Sequence, residues 1–472
     1  KHNIKTREKE STFNDPIHGN ITMDGLCLRI IDTKEFQRLR KLMQLGTCNY
    51  VFYGATHTRF EHSIGVSHFA GKVVQNLQAS QPHLNITDID ILCVKVAGLC
   101  HDLGHGPFSH VFDGVFIPRI DPNTSWRHED GSVQMLRHLM TKNKIHHSEY
   151  NLTDQDFLFI EEIIAGKSEN NRKGRSYEKF YLYDIVNNSR SGLDVDKLDY
   201  FMRDMRYTNA SSSTCNFQRF IELGRNNSLP AEQEPYMICY PEKMVKEALD
   251  VFAVRFRLHQ TIYTHKSVKK VEFMITDALV LANEIIRIPG SVTETHPDGL
   301  YRMSDCVTDP AALSNLNDQV LTLIELSNDP RLSQAQELLK KVQNRQFVSL
   351  LLYSAPDDHY YIQEDIEHTN TSMPASLNSI VLQKGDIIID KMHIHYGKKQ
   401  HNPVENMRFY SKGAEPIQTA KKVSEDVYQT LLPRSFEELA VRIFCREKNK
   451  ERIALKAFAR FCKASHIHLP FP

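Results

Sequence analysis

The chain reads as mainly α-helical, with a smaller C-terminal lobe that mixes helix and strand. Two observations predict this. Through most of the first 285 residues apolar side chains recur at helical spacing, as in Phe36, Leu39, Leu42 and Met43 or Val133, Met135, Leu136 and Leu139. After about residue 285 the texture changes to segments rich in Pro, Asp, Ser, Thr and Asn, interrupted by strand-like runs. At 472 residues the chain exceeds one ordinary hydrophobic core, so two packed regions are expected: a helical one over 1–285 and an α+β lobe over 286–472.

Taken in order, residues 13–19 (FNDPIHG) read as a turn. Asp32 and Thr33 offer a cap to a helix over 35–45, with Gln37, Arg40 and Gln44 between its apolar positions. A short apolar stretch at 50–53 contains Val51 and Phe52, and Glu61 with His62 then opens a second helix carrying Ile64, Val66 and Phe69. The apolar run Val94, Val96, Ala97, Leu99 and Cys100 leads into His101 and Asp102. Gly104, Gly106 and Pro107 stop that helix and put His105 and His110 on a turn at its end. Trp126 stands beside a helix that starts near His128 and Glu129, and the polar, basic stretch 166–179 has the composition of an exposed loop. A helix over 191–204 would align Asp196, Tyr200 and Asp204 on one face. The stretch 243–281 is the longest periodic element, with Arg255, His259 and Tyr263 again four apart. Residues 286–312 and 354–378 read as irregular, 381–396 and 407–410 as strands, and 435–447 and 451–463 as two closing helices.

Composition narrows the function classes. A hydrophobic content of 41% and a charged content of 25% are ordinary for a globular protein, and a formal net charge of zero gives no sign of a constitutive coat of nucleic acid or anionic lipid, while leaving room for local basic patches. Nine Cys without a CxxC spacing favour reduced thiols over a disulfide framework or zinc ribbon. No apolar run approaches the roughly 18 residues that cross a bilayer, and the charged start KHNIKTREKE has no signal-peptide core. A soluble protein of the cytoplasm or nucleus, without a membrane partner, is expected.

The chemistry concentrates at 96–110, VAGLCHDLGHGPFSH. A chain with 23 His should contain about one His-Asp dipeptide by chance. Three His and one Asp within ten residues, punctuated by Gly and Pro, are harder to explain as a solvated surface. His62, His101, Asp102 and Asp196 together offer two imidazoles and two carboxylates, a mixed N/O set suited to Fe, Mn, Zn or Mg. Such a divalent metal makes hydroxide available near neutral pH for phosphoester hydrolysis. His105, His110 and His128 are spare imidazoles able to protonate a leaving alkoxide, and Asp113 could orient one of them. Arg59, Lys197, Tyr200 and Arg255 suit phosphate oxygens.

The pattern His62, His101-Asp102, Asp196 resembles the HD phosphohydrolase superfamily. The longer strings NDPIHG, FQRLRKLMQLG, RFEHSIGV, AGLCHDLGHGPFSH, FDG and DVDKLDYFMRD, with the Arg255/His259/Tyr263 helix, resemble its SAM-and-HD-domain-containing deoxynucleoside triphosphate triphosphohydrolases, from about residue 11 to about residue 463. No segment here is expected to form the SAM domain that precedes the core in that family. The resemblance implies an HD-domain helical core, a C-terminal regulatory and oligomerisation lobe, and hydrolysis of a dNTP to deoxynucleoside and inorganic triphosphate. It assigns the metal to His62, His101, Asp102 and Asp196. It makes His110 the proton donor with Asp113 behind it, and turns His105 and His128 toward the phosphates. Arg59, Lys197, Tyr200 and Arg255 match triphosphate contacts, Gln44 and Asp204 the sugar 3′-hydroxyl contacts, and Tyr263 the ring that excludes a ribose 2′-hydroxyl. Leu45 and His259 line the same pocket. Few of these contacts read the base, so all four dNTPs should be accepted.

The same resemblance implies allosteric activation, with GTP or dGTP at one site and a dNTP at an adjoining site driving assembly of a homotetramer. Asp32, Gln37, Arg40 and Arg345 match the guanine site. Asn14, Val51, Phe52, Arg219, Lys243, His265 and Lys266 match the second. Ser11 and Ser349 stand where the family carries guanine-site lysines, Pro241 and Thr261 where it carries arginines, Glu247 where it carries asparagine and Thr264 where it carries glutamine. Losing cations around paired triphosphates should weaken or redirect the second activator. Two alternatives stay open: an HD-family phosphodiesterase or nucleotidase, and a nucleotide-gated binder of single-stranded nucleic acid without catalysis.

Overall fold

Three helices meet end to end around the chemistry, and their caps explain why they meet there. The structure is a computed structural model that describes residues 10–210, 216–226, 236–354, 382–383, 385–411 and 420–464. Helix Arg59–Ser80 opens on a capping box, in which the Glu61 carboxylate accepts the Thr58 N–H at 2.7 Å. It is buried on nearly every side, as a central helix must be. Helix Asp88–Cys100 starts on a second box, Thr87 with Asp90, and ends with His101 as its C-cap residue. Helix Val195–Thr208 starts where the Asp194 carboxylate accepts the Lys197 N–H at 3.0 Å. Both the second and third helices pack on the first. One helix therefore ends, and two begin, at the same place: His62 and Asp196 lie in first turns and His101 at a last one.

Helices His128–Lys142, Asp154–Ala165, Val245–Leu258, Lys266–Ala282 and Ser333–Gln343 surround this centre. The C-terminal part adds an antiparallel sheet in the order Ser349–Ser354, Glu437–Cys445, Ile387–His395, followed by helix Glu451–Ala464. Phe256 packs against Met392, Ile394 and Ala440, docking the sheet on helix Val245–Leu258. Apolar residues from Ile21 to Phe444 form one continuous buried cluster, so side chains on both sides of residue 285 share a core. No described helix is long and apolar enough to cross a membrane.

Several expectations are corrected. The helix over 35–45 is one α turn, Lys34–Gln37, and one 3-10 turn, Arg38–Lys41. It stops because Arg38 is drawn inside, donating to the carbonyls of Leu316, Leu103 and His105, while the Gln44 N–H turns to the His57 carbonyl. The single helix over 243–281 is two, parted by a π turn at His259–Tyr263 and by His265 at φ −55°, ψ 133°. Stretch 437–445 is not a helix but the central strand of the sheet, because each flank supplies a strand for its backbone to pair with. Stretch 13–19 is the end of a hairpin, Glu10–Asp15 with Gly19–Asp24, and only 16–18 is turn. The stretch 166–179 is only partly solvated: Arg172 lies over Tyr183 and Arg175 over Phe159, with Arg175 paired to Asp90 and Asp156. Strands 387–395 and 409–410 fall within their expected ranges; residue 381 and most of 354–378 lie outside the described residues.

Candidate active site

The four proposed metal donors converge. His62 Nε2 lies 3.0 Å from Asp196 Oδ1 and 3.5 Å from Asp102 Oδ2. His101 Nε2 lies 3.4 Å from Asp102 Oδ1 and 3.5 Å from Asp196 Oδ1. These are the separations of neighbouring ligands around an ion with bonds of about 2.1 Å. The electrostatics also ask for a cation. His101 Nδ1–H donates to the Gly98 carbonyl at 2.8 Å and turns Nε2 between two carboxylates, which outweigh burial and raise its pKa. Burial opposes protonation of His62, but its bonds to Asp196 and Asp199 outweigh burial and push its pKa up to about 10. His62, His101 and Asp196 offer donor atoms all within 4.8 Å of one another, and this donor set fits a divalent ion.

The turn after His101 is held from outside. Phe108 and Ser109 take φ of 59° and 57°, a left-handed pair that non-glycine residues adopt only when over-determined. Here the Phe108 N–H donates to Asp318 at 2.7 Å, and Ser109 Oγ donates to the Met43 carbonyl at 2.6 Å while accepting from Arg59 Nε at 2.8 Å. Burial drives the Asp318 pKa up to about 7 even though the Met43 and Phe108 amides favour its charge. Gly104 completes the turn, since a Cβ there would lie 2.2 Å from the His128 carbonyl oxygen and 2.3 Å from the Ser132 nitrogen. That approach brings helix His128–Lys142 against the turn.

His105, His110, Asp113 and His128 form a second cluster beside the first. The rings of His105 and His128 stack at 3.9 Å, and His110 stands 5.0 and 5.4 Å from them. Asp113 accepts from His128 Nδ1 at 2.7 Å and stands 3.5 Å from His110 Nδ1. The expected order is thus refined: Asp113 is bonded first to His128, and His110, 72% exposed, is held loosely. Burial first, then Arg59 and His128, keep His105 well below the usual imidazole range.

Both clusters open into one cavity of about 680 Å³, a size typical of small-molecule sites. Arg59, Lys197, Tyr200 and Arg255 line it, as do Gln44, Leu45, Asp204, His259 and Tyr263. Not all are free. Arg59 is locked to Asp102 at 2.5 Å, Lys197 to Asp194 at 2.8 Å, and Arg255 donates to the His395 carbonyl. Asp204 accepts from Tyr263 OH at 2.5 Å and His57 Nε2 at 2.7 Å. Gln44 Oε1 is buried with no partner, an acceptor awaiting a donor. Burial, then Arg255, pull the His259 pKa down to about 3. Sequence reading missed His57, Asp194, Asp199 and Asp318. For Asp199 a signal existed, since Arg203 follows it by four on the same helix; for His57 and Asp318 none did.

A family model for the HD domain matches residues 59–204, a span that contains all four donors and ends at two pocket residues. The chain is 38% identical to deoxynucleoside triphosphate triphosphohydrolase SAMHD1 of Bos taurus, covering 97% of this chain and 79% of that protein. It is 39% identical to the Homo sapiens protein of the same name, over 97% and 74%. It is 35% identical to the SAMHD1 homolog of Dictyostelium discoideum, over 98% and 82%. The chain belongs to the SAMHD1 family of HD-domain proteins.

The residues that the sequence resemblance assigns to regulatory sites are not among those that line the cavity. Gln37 Nε2 donates to the Ile31 carbonyl and Arg40 Nε to Gln37 Oε1, with the Arg40 guanidinium 3.5 Å above the Phe60 ring; Asp32 is exposed nearby in sequence. Arg345 donates to Tyr53 OH at 2.8 Å. Of the second set, Phe52 and His265 meet with rings 5.5 Å apart, and Arg219 pairs with Glu247. Asn14 donates to Asn20 across the hairpin, Val51 and Lys266 stand at element ends, and Lys243 lies in the 3-10 turn Glu242–Met244. Ser11 lies in the hairpin opposite Met23, Pro241 ends a short strand, and Ser349 bonds Glu451. Thr264 Oγ1 donates to the His259 carbonyl at 2.8 Å. Phe52 and Thr261 line a separate cavity of about 280 Å³.

Proposed function

We propose that this protein hydrolyses deoxynucleoside triphosphates to deoxynucleoside and inorganic triphosphate. The observation that carries the reading is a single cavity lined by metal donors, imidazoles able to give a proton, four cationic side chains (Arg59, Lys197, Arg255 and Lys269) and the Tyr263–Asp204 pair. Family membership supports the same activity. A divalent ion (Fe, Mn, Zn or Mg) held by His62, His101, Asp102 and Asp196 would supply a Lewis acid and a hydroxide near neutral pH. Water adds at the α-phosphorus, the bond to the 5′-oxygen breaks, and His110 gives that oxygen its proton. Asp113 orients His110 and His128, and His105 and His128 face the phosphates. Arg59, Lys197, Tyr200 and Arg255 take the triphosphate charge. Gln44 and Asp204 hold the 3′-hydroxyl, and Tyr263, fixed by its bond to Asp204, occupies the space that a 2′-hydroxyl would need. Leu45 and His259 complete the pocket, and His259 is kept neutral.

Incubation with each dNTP and Mg or Mn should release intact triphosphate, and Asp196→Ala should abolish release. Orthophosphate or pyrophosphate as the product would overturn the reading. Arg255→Ala should lower kcat/KM by about 10- to 100-fold, as loss of a charged phosphate contact does, whereas a phosphodiesterase or monophosphatase would be indifferent to it.

Regulation belongs to the same proposal. GTP or dGTP and a dNTP activate the enzyme by assembling a homotetramer, with residues 286–472 as a regulatory lobe and with the second site altered. The Arg219–Glu247 pair supports the alteration, because it sets a carboxylate against a cation that the site would use. Sedimentation with GTP alone, dNTP alone and both should give assembly with guanine nucleotide and a relaxed or changed dNTP requirement. The seven cysteines whose side chains are described are buried and outside any disulfide, which suits a reducing compartment such as cytoplasm or nucleus.

A further inference from the structure

One buried network outside the cavity reaches the metal donors from the far end of the chain. In the hairpin, Asp15 Oδ1 accepts the N–H groups of Ile17 and His18 at 2.8 and 2.9 Å, which fixes the turn and aims the His18 ring inward. His18 Nε2 lies 2.5 Å from Asp199 Oδ1, across 181 positions of sequence. Asp199 Oδ2 in turn accepts from His62 Nδ1 at 2.7 Å. Arg203 donates to both oxygens of Asp199 at 2.9 Å and to Asp15 Oδ2 at 2.8 Å, which closes the loop back to the hairpin. Side-chain exposure is 3% for His18 and 0% for Asp199 and Arg203.

The arrangement exceeds what a structural ion pair needs. Arg203 alone, four residues on along one helix, would neutralise Asp199. The additional donors come from two other elements, and the helix bearing His62 has been cut back to admit them. At Gly65 a Cβ would lie 2.0 Å from Asp199 Oδ1 and 2.6 Å from Arg203 Nη2. A carboxylate that accepts the outer N–H of a ligating imidazole fixes its tautomer and ring plane, and leaves the other nitrogen for the metal.

We propose that His18 is a positioning residue of the metal centre. Its bond to Asp199 holds the carboxylate that sets His62, so the N-terminal hairpin is a structural arm of the site. The proposal rests on the assignment of His62, His101, Asp102 and Asp196 as metal donors. The ring of His18 also packs on Phe69 at 4.3 Å, so packing and hydrogen bonding must be separated. His18→Phe keeps an aromatic ring and removes the donor, while His18→Gln keeps a donor at similar reach and removes the ring.

The test titrates Mn(II) into metal-stripped wild-type, Asp196→Ala, His18→Phe and His18→Gln proteins, with affinity read by chelator competition and the bound ion by its electron paramagnetic resonance spectrum. His18→Phe should bind Mn(II) about 10- to 100-fold more weakly, the usual loss when such an outer partner is removed, with an altered spectrum. Its circular dichroism should match the wild type, and kcat should fall more than KM rises. His18→Gln should stay within about threefold of wild type. Wild-type affinity in His18→Phe, or equal weakness in both His18 variants, would overturn the positioning role while leaving the donor set intact. Mn(II) binding that Asp196→Ala does not change, or none in the wild type, would overturn the donor assignment and the positioning role with it.

Discussion

At the residue scale the site works through pairs whose members sit on different elements, and Asp113 is the most exposed to test. Burial opposes its charge, but the His110 and His128 imidazoles beside it hold its pKa well below the carboxylate range. Asp113→Asn should keep the shape and lose the charge that orients both imidazoles. In steady-state assays kcat should fall by about 10²-fold, the lower end of what general acid catalysis contributes, with KM little changed. His68 offers a pH test away from the reaction. Burial first, then Lys72 and His18, lower its pKa from 6.5 to about 4, and its Nε2 is buried without a partner. The unfolded chain therefore binds a proton that the folded one refuses between those values. The His68 contribution should be full above pH 6.5 and drain away as pH falls toward 4. Thermal melts from pH 7 to pH 5 should be steeper for wild type than for His68→Gln.

At the element scale the informative features are interruptions. The π turn His259–Tyr263 breaks what periodicity reads as one helix, and the extra residue swings His259 and Tyr263 toward the cavity together with Arg255. The end of helix Asp88–Cys100 is equally specific. Gly104 lets the turn touch helix His128–Lys142, and so sets the 3.9 Å stack of His105 on His128. Gly104→Ala should overpack that contact, destabilise by about 1–3 kcal/mol in urea unfolding, and lower kcat because His128 is pushed away. A variant as stable and active as wild type would show that the two elements can separate without consequence.

At the scale of the whole molecule the metal donors come from three helices and a turn that only the fold brings together. His62, His101 and Asp196 bring donor atoms within 4.8 Å of one another only in the folded chain, so an ion bound to the folded state alone should stabilise it. At a free concentration near 100 times Kd the gain is about 2.7 kcal/mol. Chelator should lower Tm, and Mn(II) should restore it in wild type but not in Asp196→Ala. Equal melting with and without chelator would count against a folded-state metal site. The sheet enters the site as well, since the His395 carbonyl on strand Ile387–His395 receives Arg255 from helix Val245–Leu258.

Local chemistry made much of this legible in one dimension. Helices announced themselves through caps and apolar periodicity, and His101-Asp102 with His105 and His110 stood out because a short turn forces neighbours in sequence to be neighbours in space. Asp196, Tyr200 and Asp204 followed from the pitch of one helix. Other features had no local signal. Stretch 437–445 became a strand because partners on both sides satisfied its backbone, and helix 35–45 was cut short by Arg38 reaching carbonyls more than sixty residues away. His18, His57 and Asp318 act through bonds to Asp199, Asp204 and the Phe108 amide, each far along the chain. The sequence by itself determined the helical class and the family and pointed to the residues proposed as metal donors, because these depend on residue type and short spacing. Tertiary structure alone decided which buried groups hold those donors in place, because a hydrogen bond between distant residues exists only once the core has closed around it.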